Sequence, residues 1–131
     1  VESAIDLIKF DKTDDGLIPA VVQDVNTSAI LMVGFMNKAA LEKTLSTGLV
    51  TFWTRSRQKL WTKGETSGNV LKFKKLRINC NEDSVVVLAE PVGATCHTGH
   101  PSCYYRELDD AQADWLTIST PEFDPATVYP K

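Results

Sequence analysis

No apolar run in the 131-residue chain approaches the ~18–20 residues that a membrane-spanning helix needs, although 43% of its residues are hydrophobic. A membrane partner is therefore not expected. Internal repeats and low-complexity tracts are also lacking, which excludes solenoids and linkers. Neither sign of charge dominates: 17 acidic residues face 14 basic ones, a net charge of −3 with an isoelectric point near 5.3. That acidity, with no ladder of aromatics among the cations, disfavours a nucleic-acid partner. The first residues carry Glu2, Asp6 and Asp11 where a secretory leader has a basic flank and an apolar stretch. The expected compartment is the reducing cytoplasm. Cysteine is scarce, and Cys80, Cys96 and Cys103 are an odd number that cannot all pair within one chain. Thiolate chemistry is expected in place of disulfides. At 14.5 kDa the chain has material for a single domain over 1–131, which exposes about 6,900 Å² when compactly folded.

What is present reads as an α+β fold, mainly antiparallel sheet with a few short helices. Ala4, Ile5, Leu7 and Ile8 stand at near-helical spacing behind Ser3, which predicts a short N-terminal helix that Lys12-Thr13-Asp14-Asp15-Gly16 breaks. Apolar runs over 18–25 and 30–36, separated by Asn26-Thr27-Ser28, predict a β-hairpin. Asn37 is placed to cap a helix over 38–46, with Ala40, Leu41 and Leu45 on one face and Gly48 as its stop. Residues 50–54 return to strand. From Val70 onward the alternation of Leu71 and Phe73 slips by one residue to Leu76 and Ile78, which predicts a bulge at Lys74-Lys75. Val85-Val86-Val87-Leu88 is apolar at every position, the pattern of a strand covered on both faces. The acidic, proline-punctuated tail over 107–131 has Trp115, Leu116, Ile118, Phe123 and Tyr129 to anchor it, and it either packs on the surface or frays.

The cysteines are spaced C-x15-C-x6-C, and neither spacing is the C-x2-C of a zinc ribbon. Two readings are open on spacing alone. They are three buried thiols, since cysteine is among the most buried residue types, or three sulfur ligands to Zn²⁺ with the fourth position left to water. In the second reading the metal lowers the pKa of that water toward ~7. Both histidines of the chain fall in Cys96-His97-Thr98-Gly99-His100-Pro101-Ser102-Cys103, and packing is a poor reason for two histidines beside two cysteines in such a loop. Each can serve as a metal ligand, a general base or a substrate donor. Asn79-Cys80-Asn81-Glu82-Asp83 is either a polar turn between strands or a set of oxygen ligands for Mg²⁺.

Charge is unevenly placed. Residues 55–77 hold eight cations against Glu65 alone, a segment of +7 in a chain whose remainder is −10. A solvated basic strand pair is one reading, and an electropositive pocket for an anionic ligand is the other. Arg55-Ser56-Arg57 and Trp61-Thr62-Lys63-Gly64-Glu65-Thr66-Ser67-Gly68 offer cations, hydroxyls and free backbone N–H groups that suit phosphate oxygens. G-x4-G-K-[ST] is absent, so this is not a P-loop. Glu65 among these cations either balances charge or transfers protons.

These residues resemble the phosphoribosyl-AMP cyclohydrolase family, which acts in the third step of histidine biosynthesis. The resemblance runs from about Gly16 to Tyr105. It is carried by Leu17-Ile18-Pro19-Ala20-Val21-Val22-Gln23-Asp24, Leu31-Met32-Val33-Gly34-Phe35-Met36-Asn37, Ser56-Arg57, the Trp61 to Gly68 stretch, Cys96-His97-Thr98-Gly99 and Ser102-Cys103. The family often continues into a phosphoribosyl-ATP pyrophosphohydrolase domain, for which this chain is too short, so it is similar to the stand-alone form. The resemblance implies an intertwined homodimer whose zinc ligands match Cys80 from one subunit and Cys96 and Cys103 from the other. It also implies a Mg²⁺ site, from an Asp-Cys-Asp-x-Asp motif whose aspartates fall at Asn79, Asn81 and Asp83. Two of the three are neutral amides here, and a site that depends on carboxylate charge is weakened by their loss.

The implied reaction opens the adenine ring of the substrate at N1–C6, where the N1 substituent leaves C6 electron-poor, in parallel with zinc deaminases acting on adenine. One proton leaves the attacking water and another reaches N1. His97 is the expected general base, with Glu65 and His100 as secondary proton carriers. The expected substrate-binding set is Arg55, Ser56, Arg57, Trp61, Lys63, Gly64, Thr66, Ser67 and Gly68, the cations and hydroxyls on two phosphates and Trp61 on a ring. The competing expectation is a dimer in which zinc only staples two subunits, with Asn79 and Asn81 as marks of a decayed metal site.

Overall fold

The computed structural model describes residues 4–128; Ser3 and Tyr129, expected as a cap and an anchor, lie outside them. The two apolar runs pair as expected: β1 (Ile18–Asp24) and β2 (Ile30–Met36) form an antiparallel hairpin. Asp24 tightens its turn by accepting the N–H groups of Asn26 and Thr27 at 2.8 and 3.3 Å. Helix α1 (Lys38–Thr47) begins where Asn37 Oδ1 accepts the Ala40 N–H at 2.8 Å. It ends at Gly48, whose φ of 77° brings its N–H to the Thr44 carbonyl at 3.0 Å. β3 (Thr51–Thr54) and β4 (Lys59–Thr62) form a separate two-stranded sheet. β4 was not foreseen, because Lys59 and Thr62 break the apolar alternation that marks a strand.

β5 (Leu71–Ile78) and β6 (Val85–Pro91) complete a four-stranded sheet of order β2-β1-β6-β5. Only β1 and β6 run parallel, so the fold is α+β with mostly antiparallel strands. The bulge falls where the apolar phase slips: Phe73 pairs with Ala89 and Lys75 with Leu88, leaving Lys74 out of register. β6 is central, which explains its unbroken apolar run; Val85, Val87, Leu88 and Ala89 are all buried.

One expectation needs correction. The N-terminal segment forms two 3-10 turns, Ala4–Leu7 and Phe10–Lys12, and no α-helix. Its apolar period is too short to repay helix nucleation, and the Lys9 N–H bonds the Glu82 carbonyl at 2.7 Å, tying the segment to the β5–β6 turn. The tail packs in its described part. β7 (Arg106–Leu108) and β8 (Trp115–Thr117) form a small exposed hairpin, followed by the single turn α2 (Pro125–Val128). The Ile118 N–H reaches the Tyr105 carbonyl at 2.9 Å, and the Glu122 N–H reaches Gly99 at 2.7 Å. Among the described residues no helix is long and apolar enough to cross a membrane.

The core lies where α1 and β3 cover one face of the large sheet, around Val22, Met36, Leu41, Val50, Phe52 and Val87. Gly34 lets Phe52 lie directly against β2, since a Cβ at residue 34 would stand 2.5 Å from the ring. The ring is 2% exposed and packs on Trp61 at 5.9 Å, so it has little room to retreat. Gly34→Ala is expected to lower stability by ~1–3 kcal/mol, read as an earlier denaturant midpoint at unchanged slope; a wild-type midpoint would show that the ring can move aside.

Candidate functional site

β6 delivers the chain into the loop 92–105, and hydrogen bonds fold that loop back on itself. The Gly99 N–H bonds the Cys96 carbonyl at 2.9 Å, and the Cys96 N–H bonds the His100 carbonyl at 3.1 Å. Glycine is required at the apex: Gly99 has φ 92°, and a Cβ there would lie 2.4 Å from the Phe123 carbonyl oxygen. The returning strand of the loop is hooked to β2, with the Cys103 N–H on the Leu31 carbonyl at 2.8 Å and the Ser102 hydroxyl on the Ile30 carbonyl at 2.6 Å. Cys96 and Cys103 are thereby made neighbours. Cys96 is buried, and its sulfur accepts the Thr98 hydroxyl at 3.0 Å. The Cys103 thiol is pushed up to about 11, first by desolvation and then by Cys96, while the Lys63 ammonium pulls the other way.

The two histidines have different surroundings. His97 is exposed beside Cys96. His100 is buried, stacks flat on Tyr105 with centroids 3.8 Å apart, and places Nδ1 2.6 Å from the Ser119 hydroxyl. It pins the loop to the tail. Sequence reasoning missed Tyr105 and Ser119, and nothing local to either residue signals the pairing.

The loop 63–68 after β4 forms the second half of the site. It is anchored by the Lys63 N–H on the Val50 carbonyl at 3.0 Å and closed by the Gly68 N–H on Gly64 at 2.8 Å. Arg57, Trp61, Lys63, Glu65, Thr66 and Ser67 surround a cavity of about 260 Å³. Glu65 Oε2 accepts the Thr62 N–H at 3.3 Å, so its carboxylate has a backbone donor among the cations. Lys63 is only 6% exposed, and its ammonium lies 5.9 Å from the Trp61 ring centroid. Burial of a lysine needs compensation, and the indole face supplies part of it. A further cavity of about 330 Å³ is bordered by Cys103, Tyr104, Arg106 and Trp115.

Other expected residues are not brought here. The Arg55 guanidinium stands 4.2 Å over the Phe35 ring and donates from Nε to Asp15 at 2.9 Å. Partial desolvation pushes the Asp15 carboxyl up, but the Leu17 N–H and Arg55 more than reverse this and leave it below its ordinary value. Ser56 is exposed in the β3–β4 turn, and the Gly68 N–H is already engaged. Cys80 is exposed in the β5–β6 turn with Asn79, Asn81 and Asp83, at the opposite end of β6 from Cys96. The seven residues of β6 put about 20 Å between those ends. Among the described residues, no three His, Cys, Asp or Glu side chains are gathered to hold a metal.

Paired thiols, an exposed histidine and a cationic, hydroxyl-bearing cavity thus lie on an α+β scaffold, a set of groups with the chemistry of an enzyme site. A model of the phosphoribosyl-AMP cyclohydrolase family matches residues 32–105. The chain is 50% identical over 126 residues to the phosphoribosyl-AMP cyclohydrolase of Desulfatibacillum aliphaticivorans, covering 95% of this chain and 98% of that one. It is 49% identical over 118 residues to the enzyme of the same name from Methanosarcina mazei, covering 90% and 94%. It is also 49% identical over 110 residues to the histidine biosynthesis bifunctional protein HisIE of Photobacterium profundum, covering 84% of this chain and 53% of that protein. The chain belongs to the phosphoribosyl-AMP cyclohydrolase family.

The 63–68 loop depends on two glycines in unequal ways. Gly64 and Gly68 have φ 83° and 84°, but a Cβ at 64 would lie 2.4 Å from the Asn69 backbone, whereas one at 68 meets nothing within 4 Å. Gly68→Ala should cost only the ~1–2 kcal/mol of left-handed strain, and Gly64→Ala should add the ~1–3 kcal/mol of a forced overlap. Thermal unfolding of the two variants checks the order; equal losses would mean that the Asn69 backbone yields.

Proposed function

We propose that this protein hydrolyses the N1–C6 bond of phosphoribosyl-AMP in the third step of histidine biosynthesis, as a zinc-dependent cytoplasmic homodimer. The observation that carries the reading is the coming together of the Cys96–Cys103 pair, exposed His97 and the Lys63 cavity. Lys63 belongs to both halves, since it lines the cavity and acts on the Cys103 thiol.

The donor set fits zinc as half a site. Two neighbouring thiols supply soft ligands of the right kind, and the missing third is Cys80, which the length of β6 keeps away within one chain. A second copy resolves this by presenting its own β5–β6 turn. Surface area supports such a partner: the chain exposes 8079 Å², against about 6,900 Å² for a compact monomer of its mass. Val33, Tyr104, Trp115, Leu116 and Ile118 contribute exposed apolar surface near the loop 92–105 and along the β2 edge. A zinc ion held there by the thiols would supply Lewis acidity, lowering the pKa of a water toward ~7 so that it could act as a nucleophile at neutral pH.

The chain's own residues do the rest. His97 takes the proton from the attacking water, being exposed beside Cys96. Glu65, held by the Thr62 N–H at the cavity, relays that proton to N1 as the bond to C6 breaks. Lys63, Arg57, Thr66 and Ser67 hold phosphate oxygens and Trp61 stacks on a ring. His100, engaged by Tyr105 and Ser119, holds the loop in shape, and Arg55 stabilises Asp15 away from substrate.

Cys96→Ala is expected to lose both bound zinc and turnover, measured by metal analysis and by the ultraviolet change on ring opening. Full turnover from a zinc-free Cys96→Ala protein would sink the mechanism, while a zinc-bound wild-type dimer without turnover would make the metal a staple. Zinc affinity should also rise with pH. A thiol raised to about 11 keeps its proton at neutral pH, so binding must release it, and affinity rises by up to about tenfold per pH unit for each thiol proton displaced. Chelator competition between about pH 6 and 8 measures the slope; a flat profile would mean that the thiols are already ionised.

A further inference from the structure

The β5–β6 turn is where the family motif carries its aspartates, and here the side-chain oxygens of Asn79 and Asp83 already have partners. Asn79 Oδ1 accepts the backbone N–H groups of Asp83 and Ser84 at 2.9 and 3.0 Å, and its Nδ2 donates to Asp83 Oδ1 at 2.6 Å. The other carboxylate oxygen, Asp83 Oδ2, accepts the Lys12 ammonium at 3.3 Å, and the same ammonium donates to the Asn81 carbonyl at 3.0 Å. Lys9 adds a second tie, with its N–H on the Glu82 carbonyl at 2.7 Å and its ammonium 3.6 Å from the Glu82 carboxylate. Glu82 has φ 62°, a left-handed conformation that a non-glycine residue keeps only where its surroundings hold it.

Mg²⁺ demands near-ideal octahedral oxygen geometry, dehydrates reluctantly, and is usually bound through one or two carboxylates. This turn does not fit it. Asp83, the one carboxylate left of the motif, is shared between an amide and an ammonium, and an incoming cation would have to displace Lys12 and then lie beside its charge. We propose that Lys12 does for this turn what a divalent cation would do. It ties the Asn81 carbonyl to the Asp83 carboxylate and so holds the intervening segment that presents Cys80, and the turn takes up no Mg²⁺. Lys12 is thus a positioning residue for Cys80. The part played by Cys80 as a zinc ligand rests on the proposed function; the exclusion of Mg²⁺ does not.

Activity alone is a poor test, because the substrate's phosphates bind Mg²⁺ themselves. Mn²⁺, which shares the preference for octahedral oxygen, is the probe. It is added to zinc-loaded full-length protein and its free signal followed by electron paramagnetic resonance, and zinc release to a chromophoric chelator is timed in parallel. Wild type should leave the free Mn²⁺ signal undiminished. Lys12→Ala should release zinc faster, by roughly tenfold, the lower end of what outer ligand supports cost, and Lys12→Arg should restore the wild-type rate where Mg²⁺ does not. An exposed ion pair adds little to global stability, so Lys12→Ala is expected to stay folded. Mn²⁺ uptake that Asp83→Asn abolishes, or an unchanged zinc release rate in Lys12→Ala, overturns the proposal. A wild-type protein that binds no zinc would instead overturn the zinc reading, and the Mn²⁺ signal would still decide whether the turn takes a divalent cation.

Discussion

Strand β6 sets the terms for the rest of this molecule. It is paired on both edges, parallel to β1 and antiparallel to β5, and its side chains are buried along most of their length. Such a strand cannot bend to bring its ends together without losing ladder hydrogen bonds and core contacts at once. The turn before it and the loop after it are therefore held about 20 Å apart. Cys80 before the strand is thereby held apart from Cys96 and Cys103 after it within one chain.

Charge then shapes the loop end of the strand. A lysine at 6% exposure is costly unless something nearby compensates. Trp61 supplies an aromatic face. The Cys103 thiol is pushed up, because desolvation and Cys96 together outweigh Lys63. Lys63 also borders the cavity lined by Arg57, Trp61, Glu65, Thr66 and Ser67, so the thiol pair and the cavity share one cation.

Much of this was legible in the residues. Asn37 and Gly48 mark the helix because capping and left-handed stops are local chemistry, and the phase slip at Lys74-Lys75 marks the bulge because facing is a local count. Trp61 and the residues from Lys63 to Ser67 line one cavity for the same reason: side chains close in sequence on a glycine-bearing loop stay close in space. What stayed hidden depends on distant partners. The 3-10 turns exist because Lys9 is drawn to Glu82, 73 positions along the chain, and β4 exists because β3 offers it an edge. Arg55 read as a phosphate ligand from its neighbours, but Asp15 and Phe35 take it elsewhere. His100 read as a reactive group, and a serine 19 residues on holds its ring.

The turn end of β6 shows a different solution to the same electrostatic problem. A divalent ion organises a turn by drawing several carboxylates inward, and it does so only while the free ion is plentiful. An ammonium carried on the chain brings a single charge, tolerates looser geometry through three donors, and is always present at unit stoichiometry. Asparagine at 79 suits that exchange, since its amide both accepts from the Asp83 and Ser84 backbone and donates to the Asp83 side chain, which a carboxylate at the same place cannot do. With aspartates at 79 and 81 as well, one lysine would face three negative charges and leave most of that repulsion uncompensated. The two asparagines and Lys12 are therefore one substitution in electrostatic terms: removing two negative charges is what allows a single ammonium to replace a metal ion.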